Sequence, residues 1–580
     1  MTKTRLTAAL TLALLVAPVT QAAKYRIVEL PIADKGASSF SSAINESGTV
    51  TVNVKTPYNI PIDLTLLDFE STILVDNLTD IQAASNGDFN INDYSFLLAF
   101  IRSKDGLQSG QQISDTISFF VSENSADYIP GFDQRSMPDN EFALSTNTTV
   151  RDINNAGLAV GRGEGFYSKV PYTNAEGNEL VYVVRDKGVR GFVSNGNTVI
   201  DLPAPSSLLG GYSEAFGINE SNQVVGYGTT AFLSDTLETS LADCLNEELV
   251  DHDDDPDTEV RLLRGDIPVE SCISSLVSTF SAAPTSYAQL RGLIWQIDDS
   301  GNLLDTKELG LLFEPEEDDT LNYASQATAI NDNGIAVGSS NGQYTEGDTT
   351  VTRNYAAIFE NDQVINITPN PEQAVARTST TISTAVDINN DNLVTGYQVK
   401  SVNGKNRTKF FVYDMNSQEL TFPNDFFLGS SSVPMDINNN GLVVGFGEVD
   451  ASLTGRRKEG FLYNHTTEEF FPIRDLISCD SPYTILQANS INDQGQIAAT
   501  ALHQDLVRDA RGDLPLDDEG MPLEVFEDAV VSVLLEPIEG GQVESCAKPS
   551  DEINRERQGA GSLWLFSFGL LVLVWRRFRH

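Results

Sequence analysis

The sequence predicts an all-β chain, a β-propeller of about seven four-stranded repeat units, and three observations lead there. One short motif recurs seven times, each copy is followed by strand-like segments, and the less interrupted copies stand about one blade apart. Six or eight blades, or an open solenoid, are the competing architectures. Two longer stretches, about 56–145 and 235–290, interrupt the repeat as insertions containing some helix.

The motif reads Ile, Asn, two variable residues, then Gly or Asn, as in Ile44-Asn45-Glu46-Ser47-Gly48 and Ile330-Asn331-Asp332-Asn333-Gly334. Its asparagines are Asn45, Asn154, Asn219, Asn331, Asn389, Asn438 and Asn492. An Asn side chain closes an Asx-turn, and the last position demands the positive φ that Gly and Asn tolerate best, so the motif predicts a tight hairpin. A β-rich segment ending in Gly follows in five copies, for example Gln223-Val224-Val225-Gly226 and Ile335-Ala336-Val337-Gly338, where the backbone should bulge or pack closely. A third strand is read at Gly191-Phe192-Val193, Ala231-Phe232-Leu233, Ala357-Ile358-Phe359, Phe410 to Tyr413 and Gly460 to Tyr463. Arg291 to Trp295 supplies a displaced one, and a fourth follows at places such as Asn197 to Leu202.

Successive motif asparagines are separated by 58, 49 and 54 residues from Asn331 to Asn492, slightly more than the roughly 40 to 50 of a four-stranded blade. The intervals of 109 residues after Asn45 and 112 after Asn219 hold the insertions. The first and last copies lack the closing Gly, and Lys24 to Leu30 is expected to pair with Val530 to Leu535 and close the ring. Units running from an Ile-Asn turn through a Val-Gly strand to an Ala-Phe-Leu strand resemble HAF-type repeats. With the features of the termini described next, the chain is similar to an uncharacterised family of exported bacterial proteins known only as a domain of unknown function. That resemblance implies no activity.

The amino end carries Lys3 and Arg5, an apolar run from Leu6 to Val16, and small residues up to Ala23. This is the layout of a secretory signal peptide cut after Ala22, and the run is short of the roughly 20 residues needed to cross a bilayer. The carboxyl end places Gly559, Gly561 and Ser562 before an apolar stretch from Leu563 to Trp575 and a basic stop, Arg576 to His580. This predicts a sorting or membrane-spanning tail with the body of the protein outside. The tail resembles GlyGly-CTERM signals, with Ala560 interrupting the usual glycine pair, and the resemblance implies processing by a rhomboid-type protease. The expected organisation is a signal over 1–22, a repeat domain over 23–545, a linker over 546–558 and the tail over 559–580. The export machinery is the expected partner at the first step, and an extracellular or envelope ligand at the last.

Asp and Glu total 82 against 37 Lys and Arg, a formal net charge of −45, which disfavours nucleic acid as a partner. Cys244, Cys272, Cys479 and Cys546 make an even count, expected in an exported chain to form disulfides; of three pairings, 244 with 272 and 479 with 546 costs least loop closure.

There is no His-x-x-x-His pair and no phosphate-binding glycine loop, and His252, His465 and His503 lie far apart in sequence. The sharpest acidic cluster, Asp251, Asp253, Asp255 and Asp257, offers oxygen ligands at alternating positions that would suit Ca2+. Against it, Pro256 stands where an EF-hand loop needs Gly and Leu262 where it needs Glu, so a solvated acidic loop is the plainer reading. The stretch from Asn86 reads as a helix start, with Asp93 capping a helix from Tyr94 to Ile101. Two Arg-Gly-Asp tripeptides, at 264–266 and 511–513, read as chance matches. The expectation is an exported, non-enzymatic binding or structural module with no evident cofactor. The alternative is an extracellular hydrolase, which would require acidic residues to converge on a propeller channel with shifted pKa values.

Overall fold

The computed structural model describes residues 24–103, 110–185, 187–248, 262–298, 301–316, 319, 321–452, 455–517, 520–544 and 546. Seven four-stranded antiparallel sheets form the seven blades of a propeller, and a two-stranded hairpin stands apart from them. Blades 1 to 6 are each built outward in chain order from an inner strand: Gly36–Ile44, Thr148–Ile153, Ser213–Ile218, Ser325–Ile330, Ser383–Ile388 and Ser432–Ile437. Blade 7 begins with Thr484–Ile491 and takes its outermost strand, Tyr25–Glu29, from the other end of the chain. That strand pairs with Val533 to Pro537 in antiparallel register, so the ring is closed by a sheet made of both ends. Adjacent inner strands touch all the way round, blade 7 against blade 1 included.

Every inner strand ends at the Ile of the motif, and the Asn begins the turn into the second strand. The fifth motif residue has a positive φ in all seven turns: Gly48, Gly157, Asn222, Gly334, Asn392, Gly441 and Gly495. The Val-Gly strands run second in the sheet. Gly226 and Gly338 there oppose an inner-strand β-bulge, and a Cβ at either would sit about 2 Å from a backbone carbonyl, 1.9 Å from that of Glu214 and 2.0 Å from that of Gln326. Ala499 and Val52 take the equivalent place in blades 7 and 1. Val160, Val224, Val337, Val394 and Val443 on the second strands, with Phe192, Trp295, Phe411 and Phe461 on the third, are fully buried between blades.

Two strand expectations need correction. Ala231 and Phe232 are the far end of the second strand, Gln223–Phe232, and the third strand of blade 3 is Ala288–Ile297 alone. Blade 2 also carries an insertion that the repeat spacing concealed, the hairpin Tyr167–Thr173 and Glu179–Arg185. A third correction concerns the helix of the first insertion, which runs Ile91–Arg102. Asn90 caps it, taking the N–H of Asn92 and of Asp93, both at 2.9 Å. Asp93 lies buried in the first turn and accepts the Thr79 N–H at 2.8 Å.

Because inner strands run toward the Asn turns, segments leaving second strands emerge at the opposite end of the propeller. There lie the described residues of 58–115 in blade 1, the hairpin in blade 2, the described residues of 233–287 in blade 3 and of 507–525 in blade 7, together with the link 130–147 between blades 1 and 2. One face of the disc is short and regular, and the other is elaborated. Cys244 and Cys272 join the helices Thr236–Leu245 and Val269–Ala282 on the elaborated face, while Cys479 and Cys546 tie the segment after the last strand back to the start of blade 7.

Each motif Asn also works between blades. Its Oδ1 accepts N–H groups of its own turn, as Asn389 does from Asp391 (3.1 Å) and Leu393 (2.9 Å). Its Nδ2 donates to the backbone carbonyl of the next motif Asn, from Asn45 to Asn154 and so on round to Asn492, which donates to Asn45; the seven distances are 2.9–3.3 Å. All seven asparagines are buried. Replacing Asn389 by Ala is therefore expected to cost about 2–4 kcal/mol in denaturant unfolding, because it strands two turn N–H groups and breaks one link of the ring. The exposed neighbour change Asn333→Ala should stay within about 0.5 kcal/mol. Equal effects from the two would refute the ring's role.

Candidate functional site

Among the described residues, the central channel and a groove on the elaborated face gather polar side chains around space. The channel is built in tiers by the motif register. Three residues before each Asn, the inner strand bulges and presents Ser42, Arg151, Phe216, Thr328, Val386, Met435 or Asn489 to the channel. The next tier carries three carboxylates, Asp152, Asp387 and Asp436. Beyond the Asn ring, a second closed ring runs round the mouth. The backbone N–H of Glu46, Asn155, Glu220, Asp332, Asn390, Asn439 and Asp493 each donates to the side-chain oxygen of the next residue in that series, over 2.7–3.0 Å.

The channel carboxylates also link blades. Asp152 accepts the Ile218 N–H (2.9 Å), Asp387 that of Ile437 (2.9 Å), and Asp436 that of Ile491 (2.8 Å) together with the Ser490 hydroxyl (2.6 Å). Burial pushes the Asp152 carboxyl up to about 7, against the pull of its two backbone N–H partners. Burial and then the charge of Asp436 hold Asp387 well above the usual carboxylate range, and the two carboxyls hydrogen-bond to one another. Acidic residues thus do converge on the channel with raised pKa values. Yet the space beside them is about 110 Å³, with about 220 Å³ toward the Asn mouth, below the roughly 300–1,000 Å³ of organic ligand sites. Their oxygens are committed to holding blades together.

Between blades 2 and 3, Glu214 is 3% exposed and takes Arg162 at 2.6 Å, the Tyr227 hydroxyl at 3.3 Å and the Tyr212 hydroxyl. Burial, followed by Glu214, pushes Tyr227 up to about 12, and burial with the neighbouring Tyr227 and Glu214 raises Tyr212 further. Both phenols stay protonated donors at ordinary pH.

The groove has two adjoining chambers, of about 560 and 850 Å³, which share Asp63, Ser136 and Lys169. Its walls come from the blade 1 insertion, the link 130–147, the blade 2 hairpin and Arg511 of the blade 7 loop. The insertion has its own core, with Leu74 and Leu97 fully buried beside Ile60 and Ile101. Asp63 accepts from the Thr65 N–H (3.1 Å) and hydroxyl (2.7 Å) and pairs with Lys169 of the hairpin. Burial would raise Asp63, but the bonds from Lys169 and Thr65 outweigh it and hold the carboxyl below its usual range. The hairpin is braced from behind by the disulfide-linked helices, where Ser274 accepts the Arg185 N–H (3.0 Å) and Asp266 takes the Tyr172 hydroxyl and the Ala175 N–H (both 2.8 Å). Both Arg-Gly-Asp tripeptides are spent on such packing, since Arg511 bonds the Phe89 carbonyl at 2.6 Å and lies over the Tyr94 ring.

Of the groove residues, the sequence singled out Asn86, Gly87, Phe89 and Tyr94 as part of a helix start and Arg511 as part of a chance tripeptide, and none as part of a site. The turn Asn174 to Asn178 between two β-rich runs was the available signal for the hairpin, whereas the link 130–147 has no local pattern that marks it. The acidic run Asp251, Asp253, Asp255 and Asp257, and the tail residues Gly559, Gly561 and Ser562, lie outside the described residues. Among the described residues, the single group with metal-ligand spacing is Cys479, Glu544 and Cys546, and its thiols are joined to each other. No helix among them is long and apolar enough to cross a membrane.

The raised carboxyls make a pH-dependent prediction. An unfolded Asp loses its proton near pH 4, while folded Asp152 and Asp387 keep theirs to higher pH. The contribution of Asp152 to stability is therefore lost as pH climbs from about 4 through 7. Asp152→Asn keeps an oxygen for the Ile218 N–H and removes the titration. It is expected to be neutral at pH 4 and stabilising by roughly 1–3 kcal/mol at pH 8, measured by urea unfolding. A variant whose offset from the wild type does not change with pH would contradict this.

Three solved structures are similar over part of the fold. An acylaminoacyl peptidase of Pyrococcus horikoshii matches at 10% identity and a TM-score of 0.28, over 62% of this chain and 48% of its own. A puromycin-hydrolysing peptidase of Mycobacterium tuberculosis matches at 10% and 0.24 (83% and 62%), and a Trypanosoma rangeli sialidase, solved with 2,3-difluorosialic acid, at 10% and 0.23 (72% and 55%). The chain thus spans about half to three-fifths of these proteins, and scores so low lend nothing to a functional argument. No curated protein matches the sequence. The family model described as "Protein of unknown function (DUF3466)" matches residues 4–578, nearly the whole length, and the chain belongs to that family.

Proposed function

We propose that this is an exported, non-enzymatic binding module whose ligand seats in the groove of the elaborated face. The observation that carries the reading is the division between the two faces. Five connecting segments collect at one end of a rigid disc, and four of them enclose about 560 and 850 Å³ of open space, while the other end and the channel are closed by hydrogen bonds between blades. Loops carried on a rigid scaffold are where binding residues concentrate. Two disulfides fit an extracellular or periplasmic protein. The signal and tail features in the sequence support delivery to the cell surface through the export machinery, with sorting by a rhomboid-type protease.

Hydrogen–deuterium exchange of the protein with and without isolated cell-envelope fractions tests the reading. Protection is expected in 130–147 and 167–185; protection confined to the Asn turns would refute it. Intact-mass analysis should find all four cysteines alkylated only after reduction, and alkylation without reduction would remove the argument for an oxidising compartment. A hydrolase reading keeps one favourable observation, the raised Asp152 and Asp387. It requires turnover of a glycoside or ester that disappears in both Asp152→Asn and Asp387→Asn.

A further inference from the structure

We infer that the smaller, aromatic chamber of the groove takes an uncharged, polyhydroxylated ligand, a short segment of neutral oligosaccharide; this rests on the binding-module reading above. The argument begins with the charges. Three charged side chains line the chamber, and each already has its counter-charge. Asp63 and Lys169 pair with one another, and Lys187 pairs with Asp201 at 3.0 Å while lying 4.8 Å over the Phe132 ring. A charged ligand would have to break one of these pairs and leave its partner uncompensated.

Three uncharged polar groups, by contrast, are free. The side chains of Gln134, Ser136 and Ser168 line the chamber, are exposed, and make no hydrogen bond to any described residue. An amide and two hydroxyls supply both donors and acceptors, matching hydroxyl groups that do the same. Beside them is a flat apolar surface. Phe166, half-buried and lining the chamber, stacks on buried Tyr167 with ring centroids 4.9 Å apart and planes at 22°, which covers one of its two ring faces. Free hydroxyl and amide groups around an aromatic platform suit a sugar ring, whose rim is polar and whose faces carry C–H groups.

The volume, about 560 Å³, accommodates a short oligomer, and the chamber continues past Lys169 into the larger one, so a longer polymer need not end there. The formal charge of −45 works in the same direction, because acidic polymers are repelled from the surface as a whole.

The test uses isothermal titration calorimetry of the mature protein with defined neutral gluco-, manno- and galacto-oligosaccharides, and with sulfated and uronic-acid oligomers. Neutral binding is expected, insensitive to salt, and weakened about 10-fold or more by Phe166→Ala and by Gln134→Ala combined with Ser136→Ala. Asn333→Ala on the opposite face should leave it unchanged. Thermal melting of each variant separates lost binding from lost folding, and labelling a Ser168→Cys variant offers a second way to block the chamber. Preference for charged oligomers, or neutral binding indifferent to every groove change, overturns the inference. Exchange protection of the groove by a ligand other than a carbohydrate also overturns it, while leaving the binding-module reading intact.

Discussion

The amide of the motif asparagine is the point on which the rest of this propeller depends. A ring of sheets has no interior strand to hold its centre together, and inner strands of neighbouring blades are not paired by a ladder. Here the connection is made by a side chain that has one carbonyl and one NH2 to offer. The carbonyl is consumed inside its own turn, which fixes how the amide points, and the NH2 is then delivered to the next blade. Seven such links return to the first, as Asn492 donates to the carbonyl of Asn45. No other residue type fills both roles at this length. Asp would bring a second acceptor toward a carbonyl, and Gln would shift the donor outward by a methylene.

Closure at that tightness sets the character of the channel. Once inner strands are drawn together, any carboxylate in the tier beneath is removed from water and must find backbone N–H partners, as Asp152, Asp387 and Asp436 do in the next blade. The raised pKa values of Asp152 and Asp387 follow from this crowding, and not from preparation for proton transfer. A general acid needs the same perturbation but also an oxygen free to meet a substrate and space for that substrate. The channel supplies the perturbation and withholds the other two.

Legibility in the sequence followed the same division. The Ile-Asn turns and the strand order are encoded locally and repeatedly, so one copy corroborates another, and the pairing of Tyr25 to Glu29 with the last strand follows from closing the ring. The closing Gly was readable as a point of close approach, and Gly226 shows why, lying against the Glu214 carbonyl. Single-copy features were harder. Asp93 carries the chemistry of a cap, but Asn90 lies where the chain actually turns, and only the packing of Asp93 against Thr79 decides between them. The groove was not legible as a site because its residues come from the link 130–147, the hairpin, the insertion and the blade 7 loop, which share no motif and meet only in the closed ring.

That contrast separates what the repeat must do from what it leaves open. Positions recurring in every blade are occupied by groups whose bonding is saturated: the Asn amide and the acceptors from Glu46 to Asp493. Such positions cannot accept a ligand without unlinking a blade. Positions found once carry no such duty, and it is among these that unsatisfied polar side chains remain, at Gln134, Ser136 and Ser168. The hairpin bearing Ser168 is itself held rigidly, by Lys169 to Asp63 on one side and by Asp266 and Ser274 on the other. A platform braced at three points, with its outward hydrogen-bonding groups unspent, loses little freedom when a ligand arrives, and that is the condition under which modest polar contacts convert into affinity.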